Sequence, residues 1–360
     1  NDVGYLEIGA SVGSAFAGVG GIGFELTGVD FALLMVSTGG ATPVNYMALK
    51  ADVDSAALVG IDGLTAQITS LSVAVNKTSD AAEPNRVLDF AGTNSREVAT
   101  GPATSVTIDI AGSEGQLLSV QTEIFLDVFG FVQLNGSLAF KKATGSFVLG
   151  DGTALNDVGY LEIGASVGSA FAGVGGIGFE LTGVDFGLVM VSTGGATPIN
   201  YMALKADVGS AALVGIDGLT AQITSLSVAV NKTSDAADPN LVLDFGGANS
   251  REVATGPATS VTIDIEGAEG QLLAVQTAIS LDVFGFVQLD GSLAFKKASG
   301  TFVLGDGTAL NDVGYLEIGA SVGSAFAGVG GIGFELTGVD FGLLMVSTGG
   351  ATPINYMALK

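Results

Sequence analysis

The sequence predicts an all-β protein: an elongated, repetitive sheet rod, either a rolled antiparallel sheet or a β-solenoid, continuous across its repeats. Three observations carry that expectation. The string NDVGYLEIGASVG begins at Asn1, Asn156 and Asn311, a period of 155 residues. Apolar residues recur at every second position, the period of a strand. Glycine-rich turn signals separate those alternating stretches. The period divides the chain into unit copies 1–155 and 156–310, with 311–360 opening a third, as in a window cut from a longer chain.

The elements follow in order along one unit. Leu6, Ile8, Ala10 and Val12 alternate with Glu7, Gly9 and Ser11, which gives one apolar and one wetter strand face. Gly20-Gly21 makes the next tight turn, since glycine accepts φ > 0. The stretch Phe24–Phe31 changes phase around Gly28, where a bulge would swap the faces. After a polar loop at Ser37–Asn45, Met47, Leu49, Ala51 and Val53 alternate again, with Asp62-Gly63 as the following turn. This second half repeats the first weakly: Tyr5-Leu6-Glu7-Ile8 aligns with Tyr46-Met47-Ala48-Leu49 at an offset of 41.

Beyond a loop at Asn76–Asn85, strands are expected at Val106, Ile108 and Ile110 and again from Val120 to Val128. Asn135-Gly136 reads as a third hairpin turn, flanked by Phe131-Val132 and Leu138–Phe140. A loop at Gly150–Asp157 closes the unit. Glu123 and Phe125 become Ala278 and Ser280 in the second copy while Thr122, Ile124 and Leu126 do not change, so the varied positions share one, outward face. Roughly eight strands per unit, at about 4.8 Å each, would advance about 38 Å along the sheet. Hairpin turns favour an antiparallel meander; the glycine rhythm also suits a parallel solenoid. Beads on tethers are disfavoured, because no linker composition marks either 155-residue boundary.

Composition narrows the chemistry. The chain has 36 acidic and 12 basic residues, no His and no Cys, and a net charge of −24. That charge repels nucleic acid and anionic membrane surfaces. Without His, a Ser-His-Asp arrangement is excluded, and without Cys so are disulfides and thiolate metal sites. Phe31–Leu49 is uncharged over 19 residues, but Ser-Thr-Gly-Gly and a proline interrupt it, so no membrane span is expected.

Few motifs point to a ligand. Gly18–Gly23 matches G-x-G-x-x-G, yet Phe24-Glu25-Leu26 continues as strand rather than helix, which makes it a turn. Lys141-Lys142 and Lys296-Lys297 read as solvated strand ends. Asp127 and Glu123 share a face as an acid–base pair would, but Glu123 is Ala278 in the second copy. Calcium is the one ligand worth carrying: Asp151, Asn156 and Asp157 crowd one loop, repeated at Asp306, Asn311 and Asp312, and calcium takes such oxygen ligands. An ordinary Asn/Asp turn accounts for the same residues. Sequons at Asn76-Lys77-Thr78 and Asn231-Lys232-Thr233 are expected on loops, open to glycan.

Two stretches carry a resemblance. The run from Leu126 to Lys142 (LDVFGFVQLNGSLAFKK), and Val59–Thr65 leading into Leu71–Asn76, resemble a β-rich unit found in tandem in giant secreted bacterial surface proteins of adhesin-like type. The resemblance implies secretion, great length and an extracellular or cell-surface location. It supplies no functional residues, and the chain lacks the nonapeptide repeats of calcium-dependent relatives. The expected function is structural: a filament, stalk or adhesin spacer whose partners are its own repeats and other copies of itself. Two other classes compete, a β-groove carrying lipid and a glycan-binding adhesive module. Small residues at Ala10, Ala15, Ala51 and Ala56 suggest close sheet packing, hence an interior closed by its own side chains.

Overall fold

The computed structural model describes residues 3–349 and 352–360. The first unit holds β1 (Gly4–Val19), β2 (Ile22–Ser37), β3 (Asn45–Val59), β4 (Leu64–Thr78), β5 (Arg96–Ala99), β6 (Ser105–Ile108), β7 (Leu117–Val128) and β8 (Val132–Val148). The second repeats them as β9 (Ala154–Val174), β10 (Ile177–Ser192), β11 (Asn200–Val214), β12 (Leu219–Thr233), β13 (Arg251–Ala254), β14 (Ser260–Ile263), β15 (Leu272–Val283) and β16 (Val287–Val303). The third copy contributes β17 (Ala309–Val329), β18 (Ile332–Ser347) and β19 (Asn355–Leu359).

Fifteen of these strands form one antiparallel sheet, each paired with the next in chain order. Of the two expected arrangements the antiparallel meander is therefore the one adopted, and the sheet is not closed on itself. Strand β9 begins at Ala154 and runs through the 155-residue boundary without a break. Eight strands per unit is correct, but β5–β6 and β13–β14 form separate two-stranded sheets. Only six strands per unit extend the main sheet, so the advance is about 29 Å per unit rather than about 38 Å. Copy by copy, β1–β2 and β3–β4 are the two halves related by the offset of 41: Tyr5 and Tyr46 both pair with Val36.

Turn chemistry explains the hairpins. Gly20 and Gly21 have φ of 66° and 85°, the doubly left-handed backbone of a type I′ turn. Asp62-Gly63 lies in the four-residue turn between β3 and β4. Asn135-Gly136, however, is inside β8. The real turn between β7 and β8 is Phe129-Gly130, with φ of 53° and 70°. The Gly130 N–H donates to Asp127 Oδ1 at 2.8 Å and the Phe129 N–H to the Gly63 carbonyl at 2.6 Å, which together hold a phenylalanine in a conformation it rarely takes. Gly136 instead marks a register shift against β9.

The phase change near Gly28 is a crease. Gly28, Gly183 and Gly338 have φ of 58°, 60° and 63°. Pairing skips one residue at this level in β1 and β2 and shifts register between Ile68 and Ser70. Each of β1–β4 thus carries one extra residue, while β7 runs straight through. The extra residue keeps the apolar set on one face: Leu6, Ile8, Ala10 and Val12 before the crease, Ala15 and Ala17 after it.

The two faces have different fates. The segment between β4 and β7 folds back as a cap, and β5–β6 lie on β1, β2 and β3. Beneath it Ala32, Leu34 and Ala48 are buried against Val98, Ile108 and Phe90 of the cap. The same cluster continues through Phe147 and Tyr160 to Val253, Ile263 and Ala298, so one core crosses the repeat boundary. Among the described residues no layer covers the face bearing Leu33, Leu49 and Val73, and Leu6, Ile8 and Met35 on it are exposed. The alternating apolar residues thus line the open face, not the expected closed interior. The cap explains this, because its core is built from the other residue set.

Candidate functional site

The chemistry of the chain concentrates where a cap closes over the seam between two units. Three side chains of the sheet meet there. Phe147 comes from the end of β8, and Tyr160 and Glu162 from β9. Because β9 is one strand, alternation places Tyr160 and Glu162 on the same face two residues apart. Arg251, the first residue of β13, descends from the cap. Its guanidinium carbon lies 4.8 Å from the Phe147 ring centre and 4.6 Å from that of Tyr160, while Nε donates to Glu162 Oε1. The rings stand edge to face at 5.4 Å and 73°. Phe245 of the cap meets Phe147 at 6.5 Å and 81°.

Backbone bonds complete the seam. Leu149 pairs with Leu243 in an isolated bridge. The Gly150 N–H donates to the Val242 carbonyl at 3.0 Å, and the Asp244 N–H to the Val148 carbonyl at 2.8 Å. The cap of the second unit is thereby hydrogen-bonded to the last strand of the first. Gly150 and Gly267 approach so closely that a Cβ on Gly267 would lie 2.6 Å from Gly150 Cα. In the first unit Arg96 pairs with Glu7 and covers Tyr5 at 5.0 Å in the same way. Tyr5 is 65% exposed where Tyr160 is 5% exposed.

Further charge pairs tie each cap to the sheet. Lys50 donates to Asp109 at 2.9 Å and Lys205 to Asp264 at 2.9 Å. Lys141 and Lys296 pair with Glu114 and Glu269. So Lys141 and Lys296 are not the solvated strand ends the sequence suggested. Burial alone would depress the Lys141 ammonium, but the bond to Glu114 and the nearby charges of Glu114, Glu162 and Tyr160 together outweigh it and raise its affinity for the proton. At the base of the second cap, burial pushes the Asp244 carboxyl up. The N–H of Gly267, the Asn249 amide and the N–H of Gly246 outweigh that, and hold it below the usual range. Asp89 is lowered likewise by the N–H groups of Gly112 and Ala91 and the Asn94 amide.

The expected calcium loop takes another form. Asp151 accepts from the Thr153 N–H at 2.8 Å and the Thr153 hydroxyl at 2.9 Å, bonds that lower its pKa. Asp306 accepts from the Thr308 N–H at 2.9 Å in the same way. Asn156 and Asp157 stand in β9, and Asn311 and Asp312 in β17, with Asp157 and Asp312 both at φ 54°. The loop has shrunk to an Asx turn followed by a bulged strand. Asp151 and Asp312, from different copies, do line one hollow of about 630 Å³ together with Asp238, Asn240 and Ser299. Among the described residues no group of three or more acidic side chains is placed to hold a metal ion.

The sequons are also relocated. Asn76 and Asn231 lie in β4 and β12 and are 0% exposed, each Nδ2 donating at 2.7 Å to a cap carbonyl, Leu88 or Leu243. They bind the cap to the sheet and are closed to glycan in the folded chain. The Gly18–Gly23 motif is the β1–β2 turn with no helix after it. Glu123 and Phe125 are exposed and Thr122 is buried, but the varied pair stands on the capped side of the sheet and Thr122 on the open one, so the varied face is not the outward face expected from the comparison of copies. The arginine clasp was not foreseen. Its signal was available: of Arg86 and Arg96, only Arg96 recurs, as Arg251. Among the described residues no helix is long and apolar enough to cross a membrane.

No family model, no curated protein and no solved structure matches the chain.

Proposed function

We propose that the chain is a structural segment of a long, secreted bacterial surface protein, serving as a filament, stalk or adhesin spacer. The seam carries this reading. Strand β9 passes through the repeat boundary, and the cap of one unit is bonded to the last strand of the unit before it. Each added unit therefore extends the same sheet and buries the end of its neighbour, as in other linear repeat proteins. Near-identical units hold that geometry constant along the length, which a spacer requires. The clasp of Arg251, Phe147, Tyr160 and Glu162 is made of side chains that pack and pair rather than react, and the reading asks no catalysis of them. The acidic surface keeps a long rod soluble.

The experiment is antibody labelling of intact cells of the source organism, combined with electron micrographs of the extracted protein. Label on unbroken cells together with straight, thin rods supports the reading. Label only after lysis, or round particles of uniform size, overturns it.

A further inference from the structure

The face opposite the caps is apolar along the whole sheet. Directly paired residues share a face, so its rows can be read from the pairing. One row runs Ala10, Phe31, Ala51, Val73, Val120 and Phe140, then enters the second unit at Ile163. Among the directly paired strand residues no carboxylate stands on this face; Asp54, Asp157 and Asp312 lie in bulges outside that pairing. Its charges are Lys77, Lys142 and their copies, near the strand ends at the capped side.

Differences between the copies are sparse on this face. Sixteen positions separate residues 1–155 from 156–310. Six of them, Ala32, Leu34, Ser119, Glu123, Phe125 and Asn135, point to the capped side, and Asp54 lies in the crease. Seven more fall in loops or the cap, and Thr144 and Ser146 lie at the tip of β8 beyond its pairing with β7. On the open face the only changes are those of Thr144 and Ser146 at that tip, both between serine and threonine, although solvent alone would tolerate change across it. Something that contacts it accounts for both its apolar character and its constancy.

The repeat says what. Six strands at about 4.8 Å and fifteen residues at about 3.4 Å give each unit an open face of about 1,500 Å². A stable pair of proteins needs about 800 Å² on each partner. A partner covering the sheet end to end must offer apolar surface at the same pitch of about 29 Å, and a second copy of this chain does. A two-fold axis would set each face against its own image. The small side chains of Ala10, Ala51, Ala15 and Ala56 permit the roughly 10 Å approach of packed sheets. We propose that two copies pair through their open faces, forming a two-sheet rod whose acidic, capped sides face water. This goes beyond the filament reading, since a rod one sheet thick would remain a filament.

The chain has no cysteine, which makes a footprint clean. Single variants Ala51→Cys on the open face and Glu123→Cys on the capped side are titrated with a maleimide across a dilution series, with mass measured by sedimentation. Pairing predicts twice the 35.7 kDa chain mass at micromolar concentration. It also predicts a protected Cys at 51 that becomes at least tenfold more reactive on dilution, and a Cys at 123 reactive throughout. The V73K/V228K double variant should sediment as a monomer with an unchanged strand circular dichroism. A monomeric parent, or equal reactivity of the two thiols, overturns the proposal. So does protection of Cys at 51 only when vesicles of neutral and anionic lipid are added, which would assign the face to lipid.

Discussion

Replacing Gly164 with alanine isolates what holds a cap on the sheet. Gly164 lies in β9 under the second cap, and the cap backbone rests directly on it. A Cβ there would collide with the Ala254 carbonyl oxygen, 2.8 Å from its carbon and 3.1 Å from Thr255 Cα. These are backbone atoms, so no side chain can swing away; β13 must lift. Forcing a methyl into a packed interface costs about 1–3 kcal/mol. Lifting β13 also loosens Val253 and Ile263, which are fully buried. A glycine of the same strand supplies the control. A Cβ on Gly159 would meet nothing within 4 Å. Gly159→Ala should change stability by less than about 0.5 kcal/mol. Hydrogen exchange of the amides from 251 to 263 reads the local opening. Gly164→Ala should speed it about 5- to 150-fold, the equivalent of that cost, and Gly159→Ala should leave it unchanged. Equal exchange in the two variants would refute the claim that the cap is seated on the glycine.

Other expectations follow from the same contacts. Arg251→Ala strands Glu162, whose side chain is 8% exposed, and should cost about 3 kcal/mol in urea unfolding. Arg96→Ala breaks a wetter pair and should cost about 1 kcal/mol or less. Both Asp89 and Asp244 have carboxyls lowered in the folded state, so their contribution is present above the unfolded value near 3.8 and lost as pH falls through the folded one. Amide exchange in both caps should therefore accelerate below about pH 4, and Asp244→Asn should flatten that response in the second cap alone. Peptide mass mapping of protein from a glycosylating host should find Asn76 and Asn231 unmodified after folding. Glycan on a folded, protease-resistant chain would contradict their burial.

What the sequence disclosed was local. Alternation from Leu6 to Val12 reports a strand because side chains of a strand point to opposite faces. The crease at Gly28 is legible for the same reason: the alternation changes phase there. Non-local choices were hidden. Whether Leu34 or Leu33 lies in the core depends on which face the cap lands on, and alternation names the two sets without ranking them. The cap strands β5 and β6 have four residues each, too short for a period to distinguish them from strands of the main sheet. Asn135-Gly136 has the composition of a turn, but Phe129 takes the turn because Gly63 and Asp127 hold its backbone. The sequons looked like loop sites because Asn76 precedes a polar stretch. Only the folded cap shows that Asn76 reaches Leu88.

The central claim is that six strands of every unit continue a single sheet. Small-angle scattering from chains of two, three and four units tests it most directly. The account predicts a maximum dimension that grows by about 29 Å per unit along a stiff rod. Growth of about 39 Å or more per unit, the diameter of a compact 155-residue globule, with the scattering of a flexible string, would contradict it.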